Sequence, residues 1–291
     1  MAAYAVVVWL IAGVAVHNWW LQLGCFAVSS YLMVQTNNIH VLIRIYSRMV
    51  SAMFMAMGCA ACFLFSSLSV AIAQMLVIAG ILLLFTTYLD CQASGRAYYA
   101  FLAFSIASLI FPQLAYFIPL LWLFLVFNLQ CISWYTWTAS LLGLLTPYWI
   151  WTGWLLYEGD LTPLTAHLTM LTDFGQPFDY TMLTLPQWLV FFYVAVLAIV
   201  GASHYVRKNF MDKIRTRMLY NCFLWLNVAA VVFLIVQPQH YDMLITIMII
   251  TTAPLAGHYL ALTNTKWTNI SFYAIAAVTI VLTIFNLTWS T

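Results

Sequence analysis

Charge is scarce in this sequence. Only 5% of its 291 residues are Asp, Glu, Lys or Arg, against 66% hydrophobic and 17% aromatic. A soluble domain carries roughly a quarter charged residues, so this composition excludes a water-soluble globular protein and defines an integral membrane one. No acid precedes Asp90, and no Lys or Arg precedes Arg44. Without a basic start, the first apolar run, AAYAVVVWLIAGVAV, reads as a retained helix rather than a cleavable signal. The net charge of +2 carries no clustered basic stripe, so no nucleic-acid partner is expected. A G-x-S-x-G nucleophile elbow and a glycine-rich phosphate loop are also missing. The six cysteines all lie in or beside apolar runs. Cys59 and Cys62, in GCAAC, would sit three apart on one helix face, where a small-residue stretch suits close helix packing better than redox chemistry.

What fills the chain is a series of apolar runs. Counting those of about 17 to 25 residues, with shorter ones at the first, fifth and sixth positions, gives eleven candidate spans. They lie at about 2–16, 19–35, 49–65, 69–88, 97–112, 114–128, 137–157, 187–206, 218–236, 243–262 and 268–288. The expected fold is all-α, a polytopic transmembrane protein of about ten or eleven helices in a single integral membrane domain. Its parts are N-terminal helices over 1–157, an outer-face segment over 158–186 and four C-terminal helices over 187–291.

Orientation follows from the basic residues, which stay cytoplasmic in short loops. The loop RKNFMDKIRTR holds five of the nine Lys and Arg. With it inside, Arg44, Arg48, Arg96 and Lys266 also fall inside, the N-terminus is cytoplasmic, and Glu158, Asp160, Asp173, Asp179 and Asp242 face out. Trp149, Trp151 and Trp154 then sit near the outer interface and Trp134 and Trp137 near the inner one, as aromatic belts do. Arg44 and Arg48, below His40 at what reads as a helix start, would share a face. Together with Arg207 and Lys208 they are candidate contacts for cytoplasmic lipid headgroups, and topological anchoring accounts for the same residues.

The outer segment has a helix signature. Asp160-Leu-Thr-Pro163 reads as a helix start, Leu164, Leu168 and Leu171 recur at helical spacing, and Gly175 and Pro177 end the run. A short amphipathic helix on the membrane surface is expected. Candidate acid–base groups on this face are Glu158, Asp160, His167, Asp173, Asp179, His240 and Asp242. Asp160 is the first choice for a catalytic role, with helix capping as its plain alternative. The spacing of Glu158, Asp160 and His167 matches no zinc pattern, and a hard cation would want more oxygens. No metal or other cofactor is therefore expected. Within the spans, His258 follows Pro254 and Gly257, which should interrupt the helix, and it reads as a buried histidine bonded to a neighbouring helix. Scarce intramembrane charge and the lack of a visible internal repeat weigh against a transporter.

The stretch SIASLIFPQLAYFIPLLW, Ser105 to Trp122, asks the sharpest question. Ala97 to Pro112 is 16 residues, about 24 Å as a helix, against a hydrocarbon core of about 30 Å. The tip at Pro112-Gln113 is expected to stop short of the outer surface, which non-helical backbone tolerates only beside protein or a water-filled cavity. Gln113 would then lie near the floor of an outward-facing groove, with Glu158, His167 and Asp173 along it. Two short spans in a locally thinned bilayer remain the other reading.

GRAYYAFLAFSIASLIFPQLAYFIPLLWLFLVF, Gly95 to Phe127, resembles the hairpin of the GT-C glycosyltransferase superfamily: a basic loop, a short helix, a proline-bearing tip and a leucine-rich return. ASLLGLLTPYWIWTGWLLYEGDL, Ala139 to Leu161, looks like the span that follows. More closely, Asn37 to Leu161 resembles an uncharacterised family of bacterial polytopic inner-membrane proteins, on Asn37 and Arg44, LIFPQ, SLLGLLTPY and Asp160. The likeness covers somewhat under half of the chain. It implies a bacterial inner-membrane, cell-envelope protein with an outward groove for a polyprenyl-phosphate or similar lipid carrier, and transfer of sugar from that carrier. Such enzymes use an acid in the first outer loop. Here that loop is VHNWW, Val16 to Trp20, without a carboxylate. A non-enzymatic membrane subunit of an envelope complex, with protein partners, is the competing expectation.

Overall fold

The structure is a computed structural model describing residues 1–172, 176–263 and 266–290. Thirteen α-helices and no strand occur among the described residues. In chain order they are α1 (Ala2–Ile11), α2 (Val14–His17), α3 (Trp20–His40), α4 (Met49–Ala60), α5 (Leu68–Phe85), α6 (Ser94–Ile110), α7 (Ile118–Leu123), α8 (Trp134–Glu158), α9 (Thr162–Thr172), α10 (Leu185–Lys208), α11 (Ile214–Val236), α12 (Tyr241–Leu262) and α13 (Lys266–Ser290). Five segments are long and apolar enough to cross a membrane: Leu68–Phe85, Leu185–Met211, Ile214–Val236, Pro238–Leu262 and Thr268–Trp289. The chain is an all-α polytopic integral membrane protein. For reference, the end carrying the 207–217 loop is called the basic end, and the end carrying the 158–172 segment the acidic end.

α12 is the axis of the bundle, and nearly every residue from Tyr241 to His258 is buried. It packs against α4, α5, α10 and α11. Two glycines allow the closest approaches. A Cβ at Gly201 of α10 would lie 2.6 Å from the Leu255 carbonyl carbon, and one at Gly257 would lie 3.0 Å from the Val50 nitrogen. Contrary to the expectation from Pro254 and Gly257, α12 runs unbroken through both. It is buried along nearly its whole length, and membrane helices tolerate proline where neighbouring helices accommodate the freed backbone groups. Asn227 of α11 donates to Thr251 and Thr252 at 2.9 and 2.8 Å, tying α11 to the same axis.

α13 is mostly exposed along its length, as a lipid-facing helix should be, and is stapled by three polar contacts. Tyr4 donates to Thr283 at 2.7 Å, Tyr193 and Thr279 share a hydrogen bond of 2.6 Å, and Asn286 donates to the Ala60 carbonyl at 2.6 Å. Positions 279, 283 and 286 share one helix face. The Asn286 amide thus satisfies a carbonyl left without an intrahelical partner at the C-terminus of α4.

Several expected continuous elements are broken. The first apolar run divides at Gly13, whose φ of 84° ends α1 after 10 residues, about 15 Å of helix. The third divides at Ala61, and a 3-10 turn over Cys62–Ser66 follows. Cys59 and Cys62 therefore do not share one helix face; both are buried free thiols, and Cys62 donates to the Cys59 carbonyl at 2.7 Å. Nor do Arg44 and Arg48 begin a helix. Val41 takes a left-handed φ of 49° and ends α3, and the Asn37 side chain then clamps the following loop, donating to Ser47 O at 2.8 Å and accepting from Ile43 N at 3.3 Å.

Candidate functional site

The hairpin tip is recessed relative to the helix beside it. Phe111 is extended (φ −126°, ψ 98°), the conformation forced on a residue before proline, and Pro112 opens a 3-10 turn running to Phe117. α6 and α8 run side by side in parallel. Ser105 donates to Leu144 O at 2.6 Å, Ser108 and Tyr148 share a hydrogen bond of 2.9 Å, and Gly143 lies against the Tyr98 carbonyl. This register brings the end of α6 level with Ile150, whereas α8 continues to Glu158, roughly 12 Å further.

α9 folds back over the tip. α8 stops at Gly159 (φ 78°), a left-handed C-cap that glycine adopts without strain. Asp160 then starts α9, its Oδ1 accepting from Thr162 N at 2.9 Å and Thr162 Oγ1 at 2.7 Å. These bonds hold the Asp160 carboxyl below the ordinary aspartate range. Tyr116 of the tip donates to the Leu171 carbonyl. The buried residue of α9 is His167; Leu164 and Leu171 are half-buried beside it, and Leu168 is exposed. The inward face thus follows His167 rather than the leucine row, and His167 extends the hydrogen bond that Tyr148 makes with Ser108. Its Nε2 lies 3.3 Å from Tyr148 Oη, and its ring packs on Tyr148 and Trp151. A polar column, Ser105–Ser108–Tyr148–His167, therefore runs behind the α6/α8 contact. Burial pushes the His167 pKa down, favouring the neutral ring.

In front of that column lies an open apolar groove of about 660 Å³. Leu102, Ile106 and Leu109 of α6 form one wall, and Pro147, Ile150 and Trp154 of α8 form the other. Glu158 is one turn beyond Trp154 and shares its face. Glu158 and Asp160 are exposed at the acidic end, and Asp173 lies outside the described residues. A second, more polar cavity of about 210 Å³ is bounded by Phe111, Gln187, Pro238, His240 and Asp242. The tip residue that reaches it is Phe111. Gln113 is half-buried, lines neither space and makes no hydrogen bond among the described residues. Asp179 resembles Asp160: its Oδ1 accepts from Thr181 N and Oγ1, which holds its carboxyl below the ordinary range.

The basic end contains a cluster the sequence did not reveal. Arg44 and Lys208 line a cavity of about 290 Å³ together with His204, Asp212 and His258. His258 Nε2 lies 2.9 Å from Asp212 Oδ2, with side-chain exposures of 0% and 3%. Arg48 stands apart, donating to Tyr46 Oη at 3.2 Å, and Arg207 is exposed. Close by, His40 joins three helices. It faces the Leu82 carbonyl through Nε2 at 3.1 Å and Arg215 through Nδ1 at 3.1 Å. Arginine can only donate, so Nδ1 accepts and Nε2–H donates. The missed signal was Asp212, the one acid inside the basic loop and a natural partner for an intramembrane histidine.

Among the described residues, no three of His, Cys, Asp and Glu converge as a metal site would require. Fold and site define a helical membrane protein with an open apolar groove toward one end and a charged cavity at the other. The chain matches no known protein family, no curated protein and no solved structure.

Proposed function

We propose that this chain is an atypical GT-C-like envelope protein of the bacterial inner membrane that holds the chain of a polyprenyl-phosphate or similar lipid carrier in the α6/α8 groove. The observation that carries this reading is the groove itself: an apolar trough open to the side, facing where lipid would lie, and backed by the Ser108–Tyr148–His167 hydrogen bonds. Its volume of about 660 Å³ falls within the range of ligand pockets, about 300–1,000 Å³. In this reading the N-terminus is cytoplasmic and the acidic end faces out. The carrier's headgroup lies beyond Trp154, near Glu158 and Asp160, and Gln113, His167 and Asp173 belong to the surrounding headgroup region. If sugar is transferred, Asp160 is the acid proposed to assist it, with no metal assigned.

A second reading, a non-enzymatic subunit of an envelope complex, is favoured by one observation. Asp160 and Asp179 each commit an oxygen to the backbone N–H two residues on, and the first outer loop has no acid to replace them. Native mass spectrometry after gentle extraction with surrounding lipid separates the two readings. A co-purifying polyprenyl phosphate lost on Ile106→Trp, which fills the groove, supports the carrier site. A stoichiometric protein partner with no such lipid leaves the subunit.

A further inference from the structure

The cavity at the basic end is unlike the rest of the surface, and it stands independently of the groove reading. Two cations reach it from separate elements: Arg44 from the loop after α3, and Lys208 from the last turn of α10. Neither has a hydrogen-bonded or ion-paired partner among the described residues. The one acid in the cavity wall, Asp212, is held by His258 and not by either cation. The cavity lining therefore holds two cations against one acid, and that acid is bonded 2.9 Å from a buried imidazole rather than to either cation.

The walls carry further unmet hydrogen-bonding capacity. His258 is fully buried and its Nδ1 has no partner; the buried Nε2 of His204 has none either. Buried polar atoms are normally paired, and each exception asks for a ligand, a water or a function. The two rings are tilted against one another, with centroids 5.4 Å apart, so the unmet nitrogens belong to one locality. Anchoring by positive loops explains cations at a membrane surface, but not a fully buried imidazole held by a carboxylate in the same cavity wall.

We propose that this cavity is a binding site for a phosphate monoester, held by Arg44 and Lys208 from two separate elements with the His204 ring beside them. Two cations on different elements suit an anion of two charges with oxygens on several sides, and arginine and lysine are the usual phosphate-binding pair. The volume of about 290 Å³ is at the small end for ligand pockets. It fits a compact phosphate group and its ester linkage rather than a whole nucleotide-linked donor. Two sources share this chemistry: the headgroup of a phosphomonoester lipid entering from the bilayer, and a small soluble phosphate ester.

The test uses the intact protein in nanodiscs of phosphatidylcholine. In one arm, inorganic phosphate is titrated in by calorimetry; in the other, phosphatidic acid is included in the nanodisc and its retention is read by native mass spectrometry. Arg44→Gln and Lys208→Gln alter exposed side chains and leave the packing intact. Each is expected to weaken binding by about tenfold or more, the loss for one charge-assisted contact. In the soluble arm Arg48→Gln and Arg207→Gln, which lie outside the cavity lining, are the controls and are expected to leave binding unchanged. Selective loss in the soluble arm identifies a free phosphate ester, and loss in the lipid arm alone identifies a headgroup. Absence of binding in both arms overturns the proposal. So does equal weakening by Arg48→Gln in the soluble arm, which would reduce the site to a diffuse surface field.

Discussion

Two Gly→Ala substitutions should move the stability of this protein in opposite directions. At Gly201 an added methyl would stand 2.6 Å from Leu255 C, and 2.8 Å from Leu255 O and from Ala256 N. Comfortable contact between carbon atoms is about 3.5–4.0 Å, so the shortfall is on the order of 1 Å. All three opposing atoms are backbone of α12 and cannot turn aside by changing rotamer. α10 and α12 must part along their contact, and overpacking of this kind costs about 1–3 kcal/mol. At Gly153, inside α8, nothing lies within 4 Å of the added methyl. There alanine removes the helix penalty of glycine, a gain of about 0.8–1 kcal/mol.

In a chain of this size each kcal/mol moves the midpoint by about 2–4 °C. Gly201 is also inside a helix, so the same propensity gain offsets part of its overpacking cost. Gly201→Ala should therefore lower Tm by up to roughly 8 °C, and Gly153→Ala should raise it by roughly 2–4 °C. A thiol-reactive fluorophore reads this directly, because Cys59, Cys62, Cys131 and Cys222 are buried and free, and only unfolding exposes them. The exposed Cys91 and half-buried Cys25 set the baseline. If both variants shift Tm in the same direction, the close α10/α12 contact is wrong.

The same assay checks the polar staples. Asn286→Leu strands the Ala60 carbonyl and should cost about 0.6–1.7 kcal/mol, the measured range for polar contacts between membrane helices; an unchanged Tm would show that the contact is not made. Asp212→Ala leaves the His258 imidazole buried without its partner, for a loss of about 1–3 kcal/mol; stability equal to the parent protein would refute the pair. Asp160→Ala should loosen the first turn of α9, measured as faster hydrogen exchange at Thr162 to Thr165, whereas Asp160→Asn should retain most of the cap because asparagine caps equally well. Because the folded carboxyl of Asp160 is held below its ordinary value, its contribution is present at neutral pH. It is lost only as pH falls through that lowered value, so carboxyl resonances in an NMR titration should place Asp160 below a free aspartate.

Composition alone made the fold class legible, because 5% charge and 66% hydrophobic residues leave no soluble alternative. Helix positions followed from run length, and the hairpin at Pro112 and the helix after Asp160 were found where proline and a capping residue marked them. What periodicity could not show was continuity. Gly13 breaks a run and Pro254 does not, and the difference is tertiary: α12 is buried along nearly its whole length, while nothing comparable holds the chain at Gly13. Sequence spacing also misread the inward face of α9, where His167 meets a hydroxyl on α8 and Leu168 is exposed.

The charged cluster at the basic end was hidden for a different reason. Asp212 and His258 are 46 positions apart, and Arg44 meets them from a third element, so no local pattern announces the site. The constraint that creates it is global. In a chain with so few ionisable groups, a buried one must find its partner across the fold or remain neutral. Asp160 and Asp179 are occupied locally by bonds to the backbone two residues on. Asp90 is paired with Arg96 at 2.9 Å, and Asp212 is taken by His258. Once these are assigned, Arg44 and Lys208 are left facing one cavity whose single carboxylate, Asp212, is bonded to His258 and to neither of them. Charge free to bind a ligand has therefore collected at the end of the molecule opposite the acids that the sequence singled out.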